Sequence, residues 1–287
     1  MKISIVTPSL NQGRFLRRTL QSVADQTGAE IEHVVFDGGS TDNSVELLTS
    51  FGSSVRWKSE KDRGQSHAVN KGFGATDGEV LGWLNSDDIY YPGAFARVVE
   101  LLTARPEVDV VYGKADHIDV DDRAFEPYPT EPWDPERLKE TCFICQPALF
   151  LRRRVLDRFG LLDESLHYCM DYEYWLRLAR AGVRFWYLEE RLAGSRLYPE
   201  NKTMGFRKKA HAEVNDMLRR HLSRVPDRWL FNYANVIAEQ SLSAARHPRL
   251  FHMITGAAVL VAAVKWNRRV SPAMCRAVWP RLCGRPA

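Results

Sequence analysis

A short apolar run in this chain passes directly into a cluster of polar and acidic residues. Val80–Leu84 has the residue types of a buried strand, and Asn85, Ser86, Asp87 and Asp88 follow it. Open α/β sheets bind ligands beyond the carboxyl ends of their strands. Adjacent carboxylates repel each other and attract hard cations such as Mg²⁺ or Mn²⁺. The stretch therefore indicates a metal site, with a polar turn that ends in a helix-capping aspartate as the alternative.

Predicted strands and helices alternate around this stretch. Five strands are predicted before residue 115, at Lys2–Thr7, Ile31–Phe36, Val55–Ser59, Val80–Leu84 and Val108–Tyr112. Helical spacing predicts four helices between them, at Arg14–Gln26, Asn43–Thr49, His67–Phe73 and Gly93–Arg105. Asn11 and Ser40 would cap the first two helices. The alternation predicts an α/β fold with a mostly parallel central sheet. Neither a GxGxxG fingerprint nor a P-loop pattern is present, which excludes those two nucleotide sites.

The pattern is less regular in the middle of the chain. Residues 116–139 are polar and contain four prolines, which predicts a long loop over the site. Strand patterns resume at Ala148–Leu151 and Val183–Leu188. Between them, Asp171–Ala181 has helical spacing, and Asp171 would cap that helix.

The charge changes sign along the chain. Residues 1–204 carry 25 Lys and Arg against 32 Asp and Glu, whereas residues 205–287 carry 15 against 4. We therefore predict one domain over residues 1–204 and a helical, basic C-terminal region over residues 205–287. A basic surface indicates an anionic partner, either nucleic acid or membrane lipid. Because no recognised nucleic-acid module is present, we expect no nucleic-acid partner.

The most apolar run lies in this basic region. Leu250–Val264 has 15 residues, fewer than the ~20 that span a bilayer. Basic residues bracket it, at Arg246, Arg249, Lys265, Arg268 and Arg269. The run is either a buried core helix or a helix in the membrane interface, and its flanks would suit contact between residues 246–269 and an anionic membrane surface.

The bulk composition is that of a soluble globular protein, with 45% hydrophobic and 26% charged residues. Met1 and Lys2 lead directly into the first predicted strand, so we expect no signal peptide. The five cysteines are odd in number and scattered, which fits a reducing compartment better than a disulfide framework. We expect a cytoplasmic protein, peripheral on the inner face of the membrane.

Five segments, taken in order, resemble the family-2 glycosyltransferases, whose nucleotide-diphospho-sugar domain has the GT-A fold. They are Ile5–Asn11 (IVTPSLN), Val35–Asp42 (VFDGGSTD), Asp62–Ser66 with Asn70–Gly72 (DRGQS and NKG), Leu84–Asp88 (LNSDD) and Met170–Glu173 (MDYE). Each segment is weak alone, but five in order are specific. The resemblance covers residues 1–204 and implies a GT-A fold there.

The resemblance implies a nucleotide site along the sheet edge. Asp37 ends a strand, and it would accept a hydrogen bond from a uracil N–H or a ribose hydroxyl. The other implied contacts are Thr7 and Pro8 in the nucleoside pocket, Asn11 beside them, and Asp62 and Gln65 after the third strand. The donor would be a nucleotide-diphospho-sugar, with uridine favoured as its base.

The acidic DxD motif of the family falls on Asn85, Ser86 and Asp87, so its first acidic position is an asparagine here. The resemblance implies that Asp87 coordinates Mg²⁺ or Mn²⁺ and that Asp88 adds a direct or water-mediated contact. The metal would neutralise charge on the departing diphosphate. We expect the neutral oxygen of Asn85 to loosen metal binding.

Asp171 matches the catalytic base of the family, with Glu173 as a less well-placed second candidate. A single base and no separate nucleophile imply inversion at the anomeric carbon. Further resemblance extends to Gln146, near the sugar, and to Ser195–Thr203, where Arg196 and Lys202 are candidate diphosphate contacts. A family histidine in that segment is replaced by Tyr198. The QxxRW motif of processive members is absent, which implies one sugar added per encounter.

Together the residues and the resemblance indicate an inverting, metal-dependent hexosyltransferase that acts on a glycan or polyprenyl-linked acceptor in cell-surface polysaccharide synthesis. Asn85 and Tyr198 leave a second hypothesis open, a non-catalytic sugar-nucleotide-binding protein that kept the fold. A sugar-nucleotide pyrophosphorylase is disfavoured, because residues 11–14 are too sparse for its glycine-rich basic loop.

Overall fold

A computed structural model of the chain describes residues 1–283, without the side chains of residues 203 and 204. The chain divides into two compact units. The first, the sheet unit, contains residues 1–135 and 143–198. The second, the helical unit, contains residues 136–142 and the chain from Pro199 onward.

The described strands form one nine-stranded sheet in the sheet unit. They are β1 Lys2–Ser9, β2 Glu30–Asp37, β3 Arg56–Ser59, β4 Val80–Trp83, β5 Ile89–Tyr90, β6 Val110–Ile118, β7 Ala124–Pro127, β8 Leu149–Arg152 and β9 Phe185–Arg196. The spatial order is β3-β2-β1-β4-β8-β6-β9-β5, and β7 pairs with β6. The helices of the sheet unit are α1 Gly13–Ala24, α2 Ser44–Ser50, α3 Gln65–Gly74, α4 Ala94–Ala104, α6 Arg153–Phe159 and α7 Met170–Arg180. Helix α5, Pro135–Glu140, belongs to the helical unit except for its first residue.

The first half of the sheet is parallel, because helices connect its strands. β1 lies between β2 and β4 and pairs with both in parallel. It is buried from Ile3 to Ser9, as expected for an inner parallel strand with an almost continuous apolar sequence. Beyond β4 the sheet is mixed, since β8 runs antiparallel to β4 and β6 while β6 and β9 are parallel. The predicted α/β fold is confirmed.

Two apolar clusters hold the sheet and its helices together. One contains Ile5 of β1, Phe95 of α4 and Phe150 of β8, all completely buried. The other joins Leu16 of α1 to Leu48 of α2. Burying large side chains of this kind contributes about 1.5–3 kcal/mol each, which fixes the strands whose ends carry the site.

The prediction of a long loop over residues 116–139 is wrong. This region contains β7 and α5, and β6 itself continues to Ile118. The Asp119 carboxylate accepts the backbone N–H groups of Asp121 and Arg123, and Asp122 adopts a positive φ of 69°. These contacts make a tight turn that returns the chain alongside β6. The turn was hidden in the sequence, because the last part of β6 is polar and β7 is short and exposed.

The three predicted helix caps are also wrong. Gln12 and Asn43 precede α1 and α2, and Cys169 precedes α7, none with a side-chain cap. Asn11 instead has a positive φ of 54° and accepts the Thr41 N–H, while Ser40 bonds to Asp37. Asp171 lies inside the first turn of α7. Asn11 and Ser40 therefore bind within the loops after β1 and β2 and do not cap a helix.

The helical unit contains α8 Lys202–Gly205, α9 Arg207–Leu222, α10 Asp227–Ser241, α11 Pro248–Asn267 and α12 Pro272–Leu282. The helical character predicted after Gly205 is confirmed over the described residues. Trp266 of α11 packs edge-on against Tyr233 of α10, and its indole N–H donates to Asp216 of α9 at 2.7 Å.

The apolar helix α11 is longer than the sequence suggested. It has 20 residues, so by length and composition it could cross a membrane, and within the described residues it is the one helix that could. In its apolar window, 39% of the residues are buried. One face of α11 is buried. The other face is exposed and carries, at helical spacing, Leu250, Met253, Ala257, Val261 and Val264. Contact between this helix and a membrane stays a prediction. We call the five exposed residues the apolar stripe.

Candidate active site

The candidate site lies where the parallel strands end. Ser9 of β1 pairs with Asp37 of β2, and Asp37 pairs with Ser59 of β3. Trp83, the last residue of β4, pairs with Val6 of β1. The residues that follow β4, Asn85–Asp88, are called the acidic turn below. Because all four strands are parallel, their carboxyl ends and the loops after them meet at one edge.

Asp37 holds the loop that follows β2. Its carboxylate accepts the N–H groups of Gly39 and Ser40 and the hydroxyls of Ser40 and Ser59. Asp37 is 2% exposed. A Cβ on Gly38 would lie 2.9 Å from Asp62 Oδ2, so this glycine lets the β3–α3 loop approach closely. The predicted residues Asp37 and Asp62 are brought together, and the hydrogen bonds of Asp37 preorganise its loop.

The loop after β1 is tied to the loop after β2. Asn11 N–H donates to Ser40 Oγ at 2.7 Å, and Gly13 N–H donates to Asp42 at 2.9 Å. These bonds fix the walls of the predicted nucleoside pocket. Thr7 differs from the prediction, because its side chain is completely buried and lies 2.9 Å from His33 Nε2. The Thr7 hydroxyl therefore supports the pocket indirectly, through this contact. Pro8 beside it is also buried.

The side chain of Asn85 connects four segments. Its Oδ1 accepts from Gln65 Nε2 at 2.7 Å and from the indole N–H of Trp83 at 2.9 Å. Its Nδ2 donates to Gln146 Oε1 at 3.1 Å and to Asp88 Oδ2 at 3.3 Å. An aspartate here would have no N–H to donate, so the departure from the acidic family pattern has a structural reason. Asn85 holds the acidic turn, and Gln65 and Gln146 lie beside it as predicted.

The two aspartates of the acidic turn have different roles. Asp88 is 4% exposed and accepts the backbone N–H of Arg196 at 2.8 Å. Burial and the neighbouring Asp87 carboxylate raise its pKa well above the ordinary value. Both oxygens of Asp88 are therefore used inside the protein, which does not support the predicted direct metal contact. Ser86 between Asn85 and Asp87 is likewise buried.

Asp87 is only partly buried and keeps one oxygen open. Its Oδ2 accepts the Tyr198 hydroxyl at 2.9 Å, and Gln12 Nε2 donates to that same hydroxyl at 3.2 Å. Burial raises the pKa of Asp87, while the bond from Tyr198 opposes the rise. We find no hydrogen bond to Oδ1 within the described part of the chain. Tyr198, the replacement for the family histidine, thus orients the carboxylate predicted to bind metal.

The donor set suits a divalent ion that is held mainly by substrate. Among the described residues no group of three or more His, Cys, Asp or Glu could hold a metal by itself. Mg²⁺ commonly binds through one or two carboxylates together with substrate phosphates and water. One open oxygen on Asp87 beside a diphosphate fits that pattern, and Asp88 would act indirectly.

Arg196 does not have the position predicted for a diphosphate contact. Its guanidinium is completely buried and bonds to the Asp87 carbonyl, the Asp119 carbonyl and the Asp122 carboxylate. It also lies 4.6 Å from the centre of the Phe15 ring. These contacts attach the turn between β6 and β7 to the acidic turn, so Arg196 positions the backbone of Asp87. Lys202 belongs to the helical unit, at the start of α8.

Several contacts bring the start of α7 to the same edge. Trp175, one turn after Asp171, packs against Trp83 with ring centres 6.5 Å apart. The loop before α7 is held by Asn70, which exchanges two hydrogen bonds with Leu162. Asp171 Oδ1 accepts the Tyr172 N–H at 2.8 Å. These contacts support Asp171 as the predicted base.

The second candidate base is already engaged. Glu173 is 4% exposed, and Arg177 donates to both of its carboxylate oxygens. A carboxylate in a buried bidentate pair is poorly available to an acceptor hydroxyl. Glu173 therefore anchors α7.

Two residues at the site were missed from the sequence. Trp83 donates to Asn85, and Gln12 donates to Tyr198. Trp83 gave only a weak signal, because it is the last residue of β4 and Asn85 already lies in the turn beyond it. Gln12 gave no such signal, since its partner is 186 residues away.

The parallel strand ends and the acidic turn together form the ligand-binding edge expected of an open α/β domain. The glycosyl transferase family 2 model matches residues 4–160, more than half of the chain, and the chain belongs to this family. An uncharacterized glycosyltransferase of Nostoc sp. is 34% identical over 176 residues, which cover 57% of this chain and 54% of that protein. The chain therefore spans about half the length of this relative. The O-antigen biosynthesis protein RfbC of Myxococcus xanthus is 29% identical over 200 residues, 68% of this chain and 16% of that protein.

Solved structures of low sequence identity share the fold. TarS 1-349 of S. aureus, in complex with UDP-GlcNAc, has a TM-score of 0.62 at 16% identity and covers 99% of this chain and 88% of its own. The mannosyltransferase PcManGT of Pyrobaculum calidifontis, in complex with GDP-Man and Mn²⁺, has a TM-score of 0.60 at 15% identity, with 96% and 78% covered. The GT-A fold predicted from the resemblance is confirmed.

Proposed function

We propose that this chain is an inverting, metal-dependent and non-processive glycosyltransferase that moves a hexose from a nucleotide-diphospho-sugar to a glycan or polyprenyl-linked acceptor in cell-surface polysaccharide synthesis. The observation that carries the proposal is the Asn85 side chain, which joins the loop of Gln65, the end of β4, Gln146 and the acidic turn. Four segments that a sugar nucleotide would contact are thereby held together before it binds, and such preorganisation favours transfer.

The donor would lie along the carboxyl ends of β1–β4. Asp62 suits the polar groups of a nucleoside and lies in a loop that hydrogen bonds already fix. Asp37 is 2% exposed and both of its oxygens accept internal hydrogen bonds, so it would act by holding the loop after β2. TarS in the solved structures binds UDP and UDP-GlcNAc, and PcManGT binds GDP-Man. We favour a uridine donor.

The diphosphate would extend from the nucleoside towards Asp87. Mg²⁺ or Mn²⁺, when bound to Asp87 and the two phosphates, would neutralise the charge that develops on the leaving group. Tyr198 holds Asp87 Oδ2, so that Oδ1 faces the ligand without losing its orientation. The Arg196 guanidinium donates to the Asp87 carbonyl and so fixes the backbone at Asp87.

The chemical step would use Asp171. The acceptor oxygen attacks the anomeric carbon, the bond from that carbon to the phosphate oxygen breaks, and the Asp171 carboxylate takes the acceptor proton. The nucleoside diphosphate leaves with the electrons of the broken bond. Attack from the face opposite the leaving group inverts the anomeric configuration.

Donor profiling by mass spectrometry tests this function. Purified protein is incubated with Mg²⁺ or Mn²⁺, a panel of sugar nucleotides and lipid extract or oligosaccharide acceptors. We expect transfer, or slow donor hydrolysis, from a uridine-diphospho-sugar, with inverted product configuration by NMR. If no donor is consumed, and calorimetry shows metal-independent sugar-nucleotide binding, the chain is instead the non-catalytic binding protein.

We also propose that the helical unit holds the enzyme at the inner face of a membrane through residues 246–269. The apolar stripe on α11 and the flanking residues Arg246, Arg249, Lys265 and Arg268 support this attachment, because an interfacial helix needs both apolar contact and basic flanks. Flotation at low salt with vesicles containing phosphatidylglycerol tests it, and protein that remains in the soluble fraction would contradict it.

A further inference from the structure

A cavity of about 310 Å³ lies within the helical unit. Four helix ends surround it: the C-terminal ends of α9 and α11, and the N-terminal ends of α10 and α12. None of its lining residues has a role in the proposed transfer reaction. Its volume is within the range of small-molecule sites, which begins at about 300 Å³.

Three arginines line this space, Arg219, Arg224 and Arg269. Within the described residues none of them has an ion-pair or hydrogen-bond partner. Asp227 is the one acidic lining residue, and it accepts a hydrogen bond from Ser271 Oγ at 3.1 Å. The cavity, called the arginine cavity below, therefore has a net charge of about +2. Cations that converge without acceptors suit an anionic ligand, and guanidinium groups bind phosphate oxygens in pairs.

Of the four helix ends, the two N-termini add to this preference, whereas the C-terminal ends of α9 and α11 carry partial negative charge and oppose it. α10 begins at Asp227, and α12 begins directly after its cap Ser271. The N-terminus of a helix carries a partial positive charge and attracts anions. Ser223, at a positive φ of 61°, and Ser271 add hydroxyls to the lining.

The apolar stripe beside the cavity favours a lipid as the source of the phosphate. α11 ends at Asn267, which lines it, and the exposed Val261 and Val264 of the apolar stripe are in the last two turns of the same helix. Val261 is 69% exposed and Val264 is 58% exposed. A lipid could place its phosphate among the arginines and its acyl chain along the stripe. A soluble phosphate would leave the stripe unpartnered.

We propose that the arginine cavity binds the phosphate of an anionic membrane lipid headgroup. The site adds two arginines, Arg219 and Arg224, that lie outside residues 246–269. The inference rests on the proposed membrane attachment but not on the transferase reaction. It predicts that attachment is selective for phosphate-bearing anionic lipid and is not only a response to total positive charge.

Vesicle flotation with matched variants tests the site. The double variant R219Q/R224Q removes two cavity arginines, and R228Q/R276Q removes two exposed arginines that do not line the cavity. Vesicles are phosphatidylcholine alone or with phosphatidic acid. We expect binding to phosphatidic acid to fall by about tenfold or more for R219Q/R224Q and by less than about threefold for R228Q/R276Q. Donor hydrolysis on the same samples reports the transferase reaction separately.

Wild-type protein provides a second test that needs no variant. Inorganic pyrophosphate should raise its melting temperature more than chloride at equal ionic strength, since a ligand of the folded state stabilises it. Pyrophosphate should also displace the protein from vesicles. Equal flotation of both double variants would overturn the proposal. A melting shift without displacement would overturn the lipid as the source and leave a soluble phosphorylated ligand. No shift and no flotation would overturn the site altogether.

Discussion

The acidic turn in the sheet unit and the arginine cavity in the helical unit differ in whether the chain itself supplies partners for the charged groups. At the acidic turn, the chain itself supplies hydrogen-bond donors to both oxygens of Asp88 and to one oxygen of Asp87. At the cavity, Arg219, Arg224 and Arg269 have no acceptor among the described residues. At the acidic turn, only one carboxylate oxygen lacks a partner among the described residues. At the cavity, the arginines depend on a bound ligand for their partners.

The difference shows how stability and function are coupled at each place. Where partners are internal, removing one leaves a desolvated polar group that costs about 1–3 kcal/mol, so activity and stability decline together. Where the partners are external, the ligand supplies the missing stabilisation by mass action. The family match covers residues 4–160, so it includes the acidic turn itself but neither its donors Arg196 and Tyr198 nor the arginine cavity.

The largest effect should come from the sheet unit alone. Asp171→Asn removes the proton acceptor but keeps the size and the hydrogen-bonding capacity of the side chain. We expect transfer to fall by about 10²–10⁴, measured as turnover with saturating donor, while vesicle flotation stays at the wild-type level. Glu173→Gln is the matched control, and it should act mainly by loosening α7. If it abolishes turnover while Asp171→Asn does not, the base has been assigned wrongly.

The sequence predicted the strand ends and which predicted residues lie beside them, because both depend on local patterns. The apolar runs of β1, β2 and β4 and the glycines after β2 fixed the edge where Asp37 and Asp87 lie. What could not be predicted were partners distant in sequence. Arg196 was predicted to contact the diphosphate, but its guanidinium is buried by bonds to the Asp87 carbonyl and to the turn between β6 and β7. Asn85 read as a lost metal ligand, yet it needs its amide N–H groups for contacts with Gln146 and Asp88.

The buried imidazole of His33 should make the sheet unit sensitive to acid. Burial lowers the pKa of His33 from 6.5 to about 3. Between these values the unfolded chain binds a proton that the folded chain does not, so stability is retained above pH 6.5 and lost as the pH falls. We expect a loss on the order of a few kcal/mol by pH 4, measured by urea unfolding. Among the described residues no histidine lines the arginine cavity, which sharpens the contrast between the two units.

His33→Gln separates this effect from other titrations. Asp88 shifts in the opposite direction, so the difference between wild type and His33→Gln at each pH isolates the imidazole. Thr7→Val is the control, since it removes the hydrogen-bonding partner but leaves the ring buried. It should lower stability at every pH and keep the acid slope. A wild-type slope that persists in His33→Gln would assign the acid sensitivity elsewhere.

Restoring the acidic family residue at position 85 tests whether the site is complete without metal. Asn85→Asp loses the donors to Gln146 and Asp88 and adds a carboxylate beside Asp87 and Asp88. Without metal we expect the free energy of unfolding to fall by about 2 kcal/mol. With Mn²⁺ the melting temperature should rise more than in wild type. Asn85→Ala loses the same bonds without the charge, so it should be destabilised and gain no extra metal response. Equal metal responses in Asn85→Asp and Asn85→Ala would contradict the assignment of this turn to the metal.

The smallest predicted effect concerns the hydroxyl of Tyr198, the last donor that the chain supplies to Asp87. Tyr198→Phe removes the 2.9 Å bond to Asp87 and keeps the ring, which packs 5.1 Å from Phe15. The free energy of unfolding should fall by about 1 kcal/mol, and Mn²⁺ binding by calorimetry should weaken, because Asp87 is no longer oriented. Tyr187→Phe, which removes a phenol bonded to Thr130, is the control and should leave Mn²⁺ binding unchanged. If Tyr198→Phe binds Mn²⁺ as tightly as wild type, the internal donors of the acidic turn contribute to folding alone. The acidic turn and the arginine cavity would then differ in how they affect stability and not in how they bind ligands.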